Sequence, residues 1–122
     1  MVWHGQVEGV RPFMKKWALL VHPPLAPEPF GRVLVEAMAE GCPPVAARAG
    51  AVPEVVEEGV TGWLFSPGSE QDLADVLRAA LLDPAERERR GQAGRELVRR
   101  RFDRRRCVGE VERVYRDLLS LV

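Results

Sequence analysis

Two glutamates and a glycine lie around one predicted junction between a loop and a helix. The apolar run from Ala18 to Val21 predicts a strand, and the loop after it contains four prolines and ends at Gly31. A helix is predicted to begin there. Its first backbone N–H groups have no partner within the helix, and with the helix dipole they suit an anion such as phosphate.

Glu28 and Glu36 are eight residues apart, one in the loop and one a little over a turn into the helix. A carboxylate does not suit phosphate, but it accepts hydrogen bonds from vicinal hydroxyls such as those of a ribose. A nucleotide sugar offers both a diphosphate and hydroxyls. The spacing alone leaves another interpretation open, in which Glu36 is a solvated helix residue and Glu28 a capping charge.

The elements that would position these residues alternate along the chain. Such alternation predicts the α/β class, a Rossmann-like doubly wound parallel sheet with helices on both faces and the strand at 18–21 buried on both sides. We expect one domain over 1–122, with an α/β part at 1–85 and C-terminal helices at 86–122. Strands are predicted at 2–7, 18–21, 45–47 and 62–65, and helices at 11–16, 31–40, 53–58 and from Ser69 onward.

Several helix ends carry local signals. Gly41 is predicted to close the helix that begins at Gly31. Ser69 with Asp72 resembles a capping box, and Asp83 is predicted to cap a helix whose first residue is Pro84. One apolar face is predicted after Ser69 from Leu73, Val76, Leu77, Ala80 and Leu81, and another in the last helix from Val111, Val114, Tyr115, Leu118 and Leu119.

Charge is unevenly distributed along the 122 residues. The 18 basic and 18 acidic side chains cancel, but residues 1–85 carry a net charge of −5 and residues 86–122 one of +5. The arginines between Arg99 and Arg106 suit either a nucleic-acid-binding arm or a solvated junction of two helices. Acidic residues return after this run and it holds a single aromatic residue, Phe102, so we favour the junction and expect no nucleic-acid partner.

Membrane, secretory and metal-binding classes are not indicated. The apolar runs are far shorter than the roughly 20 residues of a membrane span, and the first residues lack the pattern of a signal peptide, so a cytoplasmic location is expected. Cys42 and Cys107 form no CxxC motif, and His4 and His22 are not spaced with them as metal ligands. We expect free, buried or half-buried thiols and no metal site.

The segment from Glu28 to Pro43 resembles the E-x7-E signature of retaining GT-B glycosyltransferases, a group that includes sucrose synthase, bacterial glycogen synthase and phosphatidylinositol mannosyltransferases. Residues 13–14 and 20–23 are similar to the family's "PS" strand and loop. Residues 50–56 resemble its "GGxPEIV" motif and residues 59–65 its "GxTGxLV" motif. The resemblance covers nearly the whole chain, with its motifs in the family's order.

The resemblance implies a role for each matched position. Glu28 would be the catalytic-site residue that contacts hydroxyls of the donor sugar, and Glu36 would bind the ribose. Backbone N–H groups of Phe30, Gly31, Arg32 and Val33 would hold the sugar and the diphosphate and stabilise the departing nucleoside diphosphate. The partner implied is a nucleotide-diphosphate sugar, used as substrate without a cofactor or metal ion.

The resemblance also implies what a working enzyme needs beyond these residues. The family places its acceptor side in an N-terminal domain, and an Arg/Lys pair that grips the diphosphate precedes the segment matched here. We therefore expect a truncated C-terminal donor-binding domain without turnover of its own. Two alternatives stay open: a subunit of a split enzyme that pairs with a separate N-terminal-domain polypeptide, and a non-catalytic α/β remnant that forms a homodimer.

Overall fold

The structure, a computed structural model, describes residues 11–23, 32–101, 113–114 and 116–120. Within them, three parallel strands lie in the order β1-β2-β3, and each strand is followed by a helix. This confirms the predicted parallel α/β sheet, while the strand predicted at 2–7 lies outside the described residues. The elements are α1 (Arg11–Met14), β1 (Leu20–His22), α2 (Arg32–Ala39), β2 (Pro44–Ala47), α3 (Val52–Val55), β3 (Trp63–Phe65), α4 (Glu70–Leu81) and α5 (Pro84–Arg101).

Residues of β2 and β3 alternate between two layers of helices. Ala46 and Leu64 point to a core shared with α2, α3 and α5. Val45, Trp63 and Phe65 point to the opposite face, where α4 packs. Successive side chains of a strand face opposite sides of a sheet, so both layers draw on the same two strands. Every residue of β2 and β3 is buried, as expected of a parallel sheet covered on both faces.

β1 is less buried than its apolar sequence predicts. The strand spans Leu20–His22 rather than 18–21, and Val21 is 40% exposed. Val21 pairs with Val45, so both face the side of the sheet on which α4 lies. α4 packs over β3, two strands away, and leaves Val21 uncovered. The prediction that this strand is buried on both faces is therefore wrong.

α2 ends at Gly41, as predicted. Gly41 has a φ of 77°, a left-handed conformation that glycine adopts without steric cost. Its N–H donates to the carbonyl of Met38 at 3.0 Å, and the N–H of Cys42 donates to the carbonyl of Ala37 at 2.9 Å. This pair of bonds is a Schellman motif, which satisfies carbonyls that the end of a helix leaves without partners.

Side chains cap the N-termini of α4 and α5, as predicted. The Ser69 hydroxyl accepts a hydrogen bond from the Asp72 N–H at 3.1 Å. The Asp72 carboxylate accepts from the N–H of Ser66 at 2.6 Å, so it ties α4 to the preceding turn instead of completing a capping box. At the start of α5, the Asp83 carboxylate accepts from the Glu86 N–H at 3.1 Å.

Leu81 does not belong to the buried face of α4. Ala80 is fully buried and Leu73, Val76 and Leu77 pack around it, but Leu81 is 54% exposed. Twelve helical residues span about 18 Å, whereas the three residues of β3 span about 10 Å. The last turn of α4 therefore extends past the strand that it covers, and the prediction for Leu81 is wrong.

α5 approaches α2 through two glycines and reaches β3 through an arginine. A Cβ atom on Gly91 would overlap the backbone carbonyl oxygen of Gly41, and one on Gly94 would lie 3.5 Å from the side chain of Met38. The Arg90 guanidinium lies 4.0 Å from the centre of the Trp63 ring, a cation–π distance. These contacts hold α5 against the sheet and against the end of α2.

The two glycines of α5 provide a matched test of this packing. Gly91→Ala should lower the free energy of unfolding by about 2 kcal/mol or more, because the added methyl group displaces backbone. Gly94→Ala should be neutral or stabilising by up to about 1 kcal/mol, because its methyl group meets ordinary contacts and alanine favours a helix. Urea unfolding followed by circular dichroism measures both changes. Equal effects of the two substitutions would contradict the close approach at Gly91.

Candidate functional site

The carboxyl ends of the three strands lie at one edge of the sheet. Because the strands are parallel and in register, His22, Ala47 and Phe65 all end at that edge. In open parallel sheets, ligands bind outside the carboxyl ends of the strands, where helix N-termini also lie. α2, which begins at Arg32, is the helix that follows β1.

α2 differs from the helices that follow it in the charge of its first turn. Its first turn contains no acidic residue. Among the described helices after it, α3 has Glu54, α4 has Glu70 and Asp72, and α5 has Glu86 in the first turn. Acidic side chains there balance the partial positive charge of a helix N-terminus. From α2 to α5, only the N-terminus of α2 lacks this balance, which suits an anionic ligand.

Arg32 and Glu36 lie together on the face of α2 opposite Leu34, which is fully buried. The Arg32 Nε atom lies 3.5 Å from the Glu36 Oε1 atom, and their side chains are 83% and 35% exposed. Glu36 is thus half-buried beside an arginine and is not turned into the core. A carboxylate in this position remains within reach of a ligand at the start of the helix.

Three of the six predicted site residues, Arg32, Val33 and Glu36, lie on α2. Glu28, Phe30 and Gly31 lie outside the described residues. Val33 packs its side chain against two clusters of the core, so only its backbone N–H remains for a ligand. Of the predicted set, the structure brings together the side chains of Arg32 and Glu36. The ligand contacts assigned to all six residues stay predictions.

A basic side chain at the same edge of the sheet is not among the predicted site residues. Arg48 directly follows β2, its side chain is exposed, and its N–H donates to the carbonyl of Phe65 at 2.9 Å. The turn after it contains Gly50, whose φ is 57°. A basic residue immediately after a buried strand is a signal that could have identified Arg48, because the strand direction places it at the ligand-binding edge.

The same edge contains a small cavity between the end of β1 and the start of α4. Its volume of about 150 Å³ is below the range of roughly 300–1,000 Å³ that encloses a drug-sized ligand, so it can take only part of a nucleotide sugar. The cavity is lined by Pro23, Phe65, Gly68, Ser69, Glu70 and Leu73.

The comparison with known proteins identifies the family. The model of the glycosyl transferases group 1 family matches residues 1–97. The chain belongs to this family. It is 40% identical over 118 residues to the phosphatidyl-myo-inositol mannosyltransferase of Mycobacterium leprae, a match that covers 95% of the chain.

Solved structures of glycosyltransferases share the fold. Sucrose-phosphate synthase from Thermosynechococcus elongatus superposes with a TM-score of 0.89 at 31% identity over 93% of the chain. Anabaena HepE in complex with UDP-glucose superposes with a TM-score of 0.79 at 36% identity over 94% of the chain. These matches confirm a Rossmann-like α/β fold of the GT-B glycosyltransferases.

The chain spans about three-tenths of the length of these three relatives. The match covers 31% of the mannosyltransferase, 28% of the synthase chain and 31% of the HepE chain. The match therefore establishes a glycosyltransferase group 1 domain in this chain.

The described part of the last helix exposes apolar side chains. Residues 113–114 and 116–120 are helical, and Val114, Leu118 and Leu119 are more than half exposed. These three residues belong to the apolar face that the sequence predicts for the last helix. No helix in the described ranges is both long enough and apolar enough to cross a lipid bilayer.

Metal ligands and a reactive thiol are not part of the described site. Among the residues that the structure describes, no three His, Cys, Asp or Glu side chains converge as metal ligands. Metal independence stays a prediction. Cys42 is a free thiol that is 2% exposed, and burial raises its pKa from 9.0 to about 11. Thiolate is scarce at such a position, so Cys42 is unsuited to be a nucleophile.

Alkylation of Cys42 tests its burial. A pKa raised from 9.0 to about 11 lowers the thiolate fraction at pH 8 by about 100-fold. Iodoacetamide should therefore modify Cys42 at least that much more slowly in native buffer than in urea. Peptide mass spectrometry measures the two rates. The thiol favours the folded state below pH 9, and this contribution should be lost as pH rises to about 11. Equal rates in buffer and urea would contradict the burial.

Proposed function

We propose that this chain is the C-terminal, donor-binding domain of a retaining glycosyltransferase and that it binds a nucleoside-diphosphate sugar at the N-terminus of α2. One observation carries the proposal: the unbalanced positive end of α2 lies at the carboxyl edge of the sheet with Glu36 about one turn inside it. The fold match to HepE in complex with UDP-glucose supports this class of ligand.

The backbone at the start of α2 would hold the diphosphate. The N–H groups of Arg32 and Val33 are among those that the start of a helix leaves without internal partners, and such groups point along the helix axis. Together with the N–H groups of Phe30 and Gly31, they would bind the diphosphate. During transfer, negative charge develops on the departing nucleoside diphosphate. Fixed N–H dipoles stabilise that charge without rearrangement, which makes them suited to this reaction without a metal ion.

The two glutamates would hold the neutral parts of the donor. Glu36 would accept hydrogen bonds from the ribose hydroxyls, and Glu28 would contact hydroxyls of the donor sugar beside the reacting carbon. The 35% exposure of Glu36 fits this role, since a half-buried carboxylate is both reachable and held in place. The ribose hydroxyls would replace the water molecules that hydrate the Glu36 carboxylate in the free chain.

Thermal unfolding with UDP, GDP, ADP and their sugars tests donor binding. A nucleotide at 100 times its Kd should stabilise the chain by about 2.7 kcal/mol and raise Tm by several degrees. Glu36→Ala should remove most of this shift, because it deletes the acceptor for the ribose hydroxyls. Asp75→Ala is the matched control, since Asp75 is an exposed carboxylate 3.7 Å from Arg78 on α4.

The outcomes of that measurement are separable. A shift that survives Glu36→Ala would contradict the ribose assignment and leave donor binding intact. No shift with any of the three nucleotide classes would contradict the proposed function itself. A loss of the shift in Asp75→Ala as well would indicate a general effect of charge on the protein.

We further propose that the 122-residue chain binds donor without turning it over. The resemblance to GT-B enzymes implies that the acceptor lies on the N-terminal domain, and the chain matches only 31% of the length of the mannosyltransferase. The purified chain should therefore neither transfer nor hydrolyse radiolabelled UDP-, GDP- or ADP-sugars, even where thermal shifts show binding. Sustained release of labelled sugar, absent in Glu36→Ala, would contradict this.

A further inference from the structure

The ion pair of Arg32 with Glu36 lies at the proposed donor site and is weakly held. The Arg32 Nε and Glu36 Oε1 atoms are 3.5 Å apart, beyond the usual hydrogen-bond range of 2.7–3.2 Å. The Arg32 side chain is 83% exposed, so most of its N–H donors face solvent. Exposed pairs at this spacing contribute little to stability, so a better anion can replace Glu36.

The chemistry of a nucleotide connects the two side chains. In every nucleoside diphosphate, the ribose bears the first phosphate on its 5′ oxygen, so a group beside the ribose-binding carboxylate is near that phosphate. Arg32 is the first residue of α2 and therefore lies between Glu36 and the N-terminal end of the helix. Its planar guanidinium can donate two parallel hydrogen bonds to phosphate oxygens.

We infer that Arg32 is a specificity-determining residue that recognises the phosphate attached to the ribose, and that Arg32 and Glu36 exchange partners when the donor binds. This inference rests on the proposed function. In the free chain each side chain balances the charge of the other. In the complex, Glu36 accepts from the ribose hydroxyls and Arg32 turns to the phosphate. Neither charge is left without a partner in either state.

Other described basic residues near α2 are less well placed for this role. Lys15 forms an ion pair with Glu40 at 3.6 Å. Glu40 follows the C-terminus of α2, about 12 Å from its first residue by the rise of eight helical residues. Arg48 lies at the same edge of the sheet but follows β2 and has no ion pair with Glu36 among the described contacts. Arg32 is the one that adjoins the predicted ribose contact.

The experiment compares nucleotides with the corresponding nucleosides. Calorimetric titration of the 122-residue chain with UDP, GDP and ADP identifies the base that binds, and competition against that diphosphate gives the affinity of the nucleoside. Arg32→Gln should weaken binding of the diphosphate by about tenfold or more, the loss of one charge-assisted interaction. It should leave the nucleoside affinity unchanged. Arg32→Lys should retain part of the diphosphate affinity, because lysine keeps the positive charge but lacks the planar guanidinium that donates two parallel hydrogen bonds.

Two control variants and the salt dependence of binding test whether the effect is specific to Arg32. Arg78→Gln removes a similarly exposed arginine of an ion pair on α4, with Asp75, and should change neither affinity. Arg48→Gln tests the other basic side chain at this edge and should weaken diphosphate binding less than Arg32→Gln. Salt should weaken diphosphate binding less in Arg32→Gln than in the parent chain, since one charge pair is gone.

Each result decides between the claims. Unchanged diphosphate affinity in Arg32→Gln, or an equal loss for the diphosphate and the nucleoside, overturns the role of Arg32 while leaving donor binding intact. A larger loss in Arg48→Gln than in Arg32→Gln also overturns it. Absence of binding by any of the three diphosphates to the parent chain overturns the proposed function and this inference together.

Discussion

The contact between α5 and the C-terminal turn of α2 is the constraint on which the rest of the structure depends. Gly91 admits the backbone of Gly41 at a distance that no side chain would allow. The Schellman motif fixes the conformation of that turn, so the position of one helix determines the position of the other. Because α2 is short and rigid, fixing its C-terminus against α5 also fixes where its N-terminus meets the edge of the sheet.

The arginines of α5 extend this constraint to the loops around the sheet. The Arg89 guanidinium donates to the carbonyl of Gly59 at 3.0 Å, and the Arg90 guanidinium donates to the carbonyl of Gly62 at 2.9 Å. Arg87 donates to the last carbonyls of α4. Much of the positive charge in the described part of residues 86–122 is thus directed at the chain's own backbone. Such contacts give Arg87, Arg89 and Arg90 a structural role. The absence of a nucleic-acid partner for the run between Arg99 and Arg106, most of which lies outside the described residues, stays a prediction.

The candidate site depends on one helix N-terminus, that of α2, whose partial positive charge is not balanced by an acidic residue in the first turn. From α2 to α5, the described helices other than α2 carry a carboxylate in the first turn, whereas α2 carries Glu36 about one turn further on. A positive end beside a recessed carboxylate suits a ligand that is itself divided into a charged and a hydroxyl-bearing part. UDP-glucose, which Anabaena HepE binds in a structure that superposes on this chain, is a ligand divided in this way.

The sequence by itself determined the alternation of strands and helices, the closure of α2 by Gly41, the caps at Ser69 and Asp83, and the helix on which Glu36 lies. Those features depend on signals within a few residues, such as a glycine that can adopt positive φ or a side chain that accepts from a nearby N–H. Only the tertiary structure decided that Val21 and Leu81 are exposed, because burial depends on which elements lie over them. By local propensity Gly91 is an unfavourable helix residue, and its close contact with Gly41 forms only when α5 packs against α2. Arg90 is far along the chain from Trp63, so their cation–π contact also forms only in the folded chain.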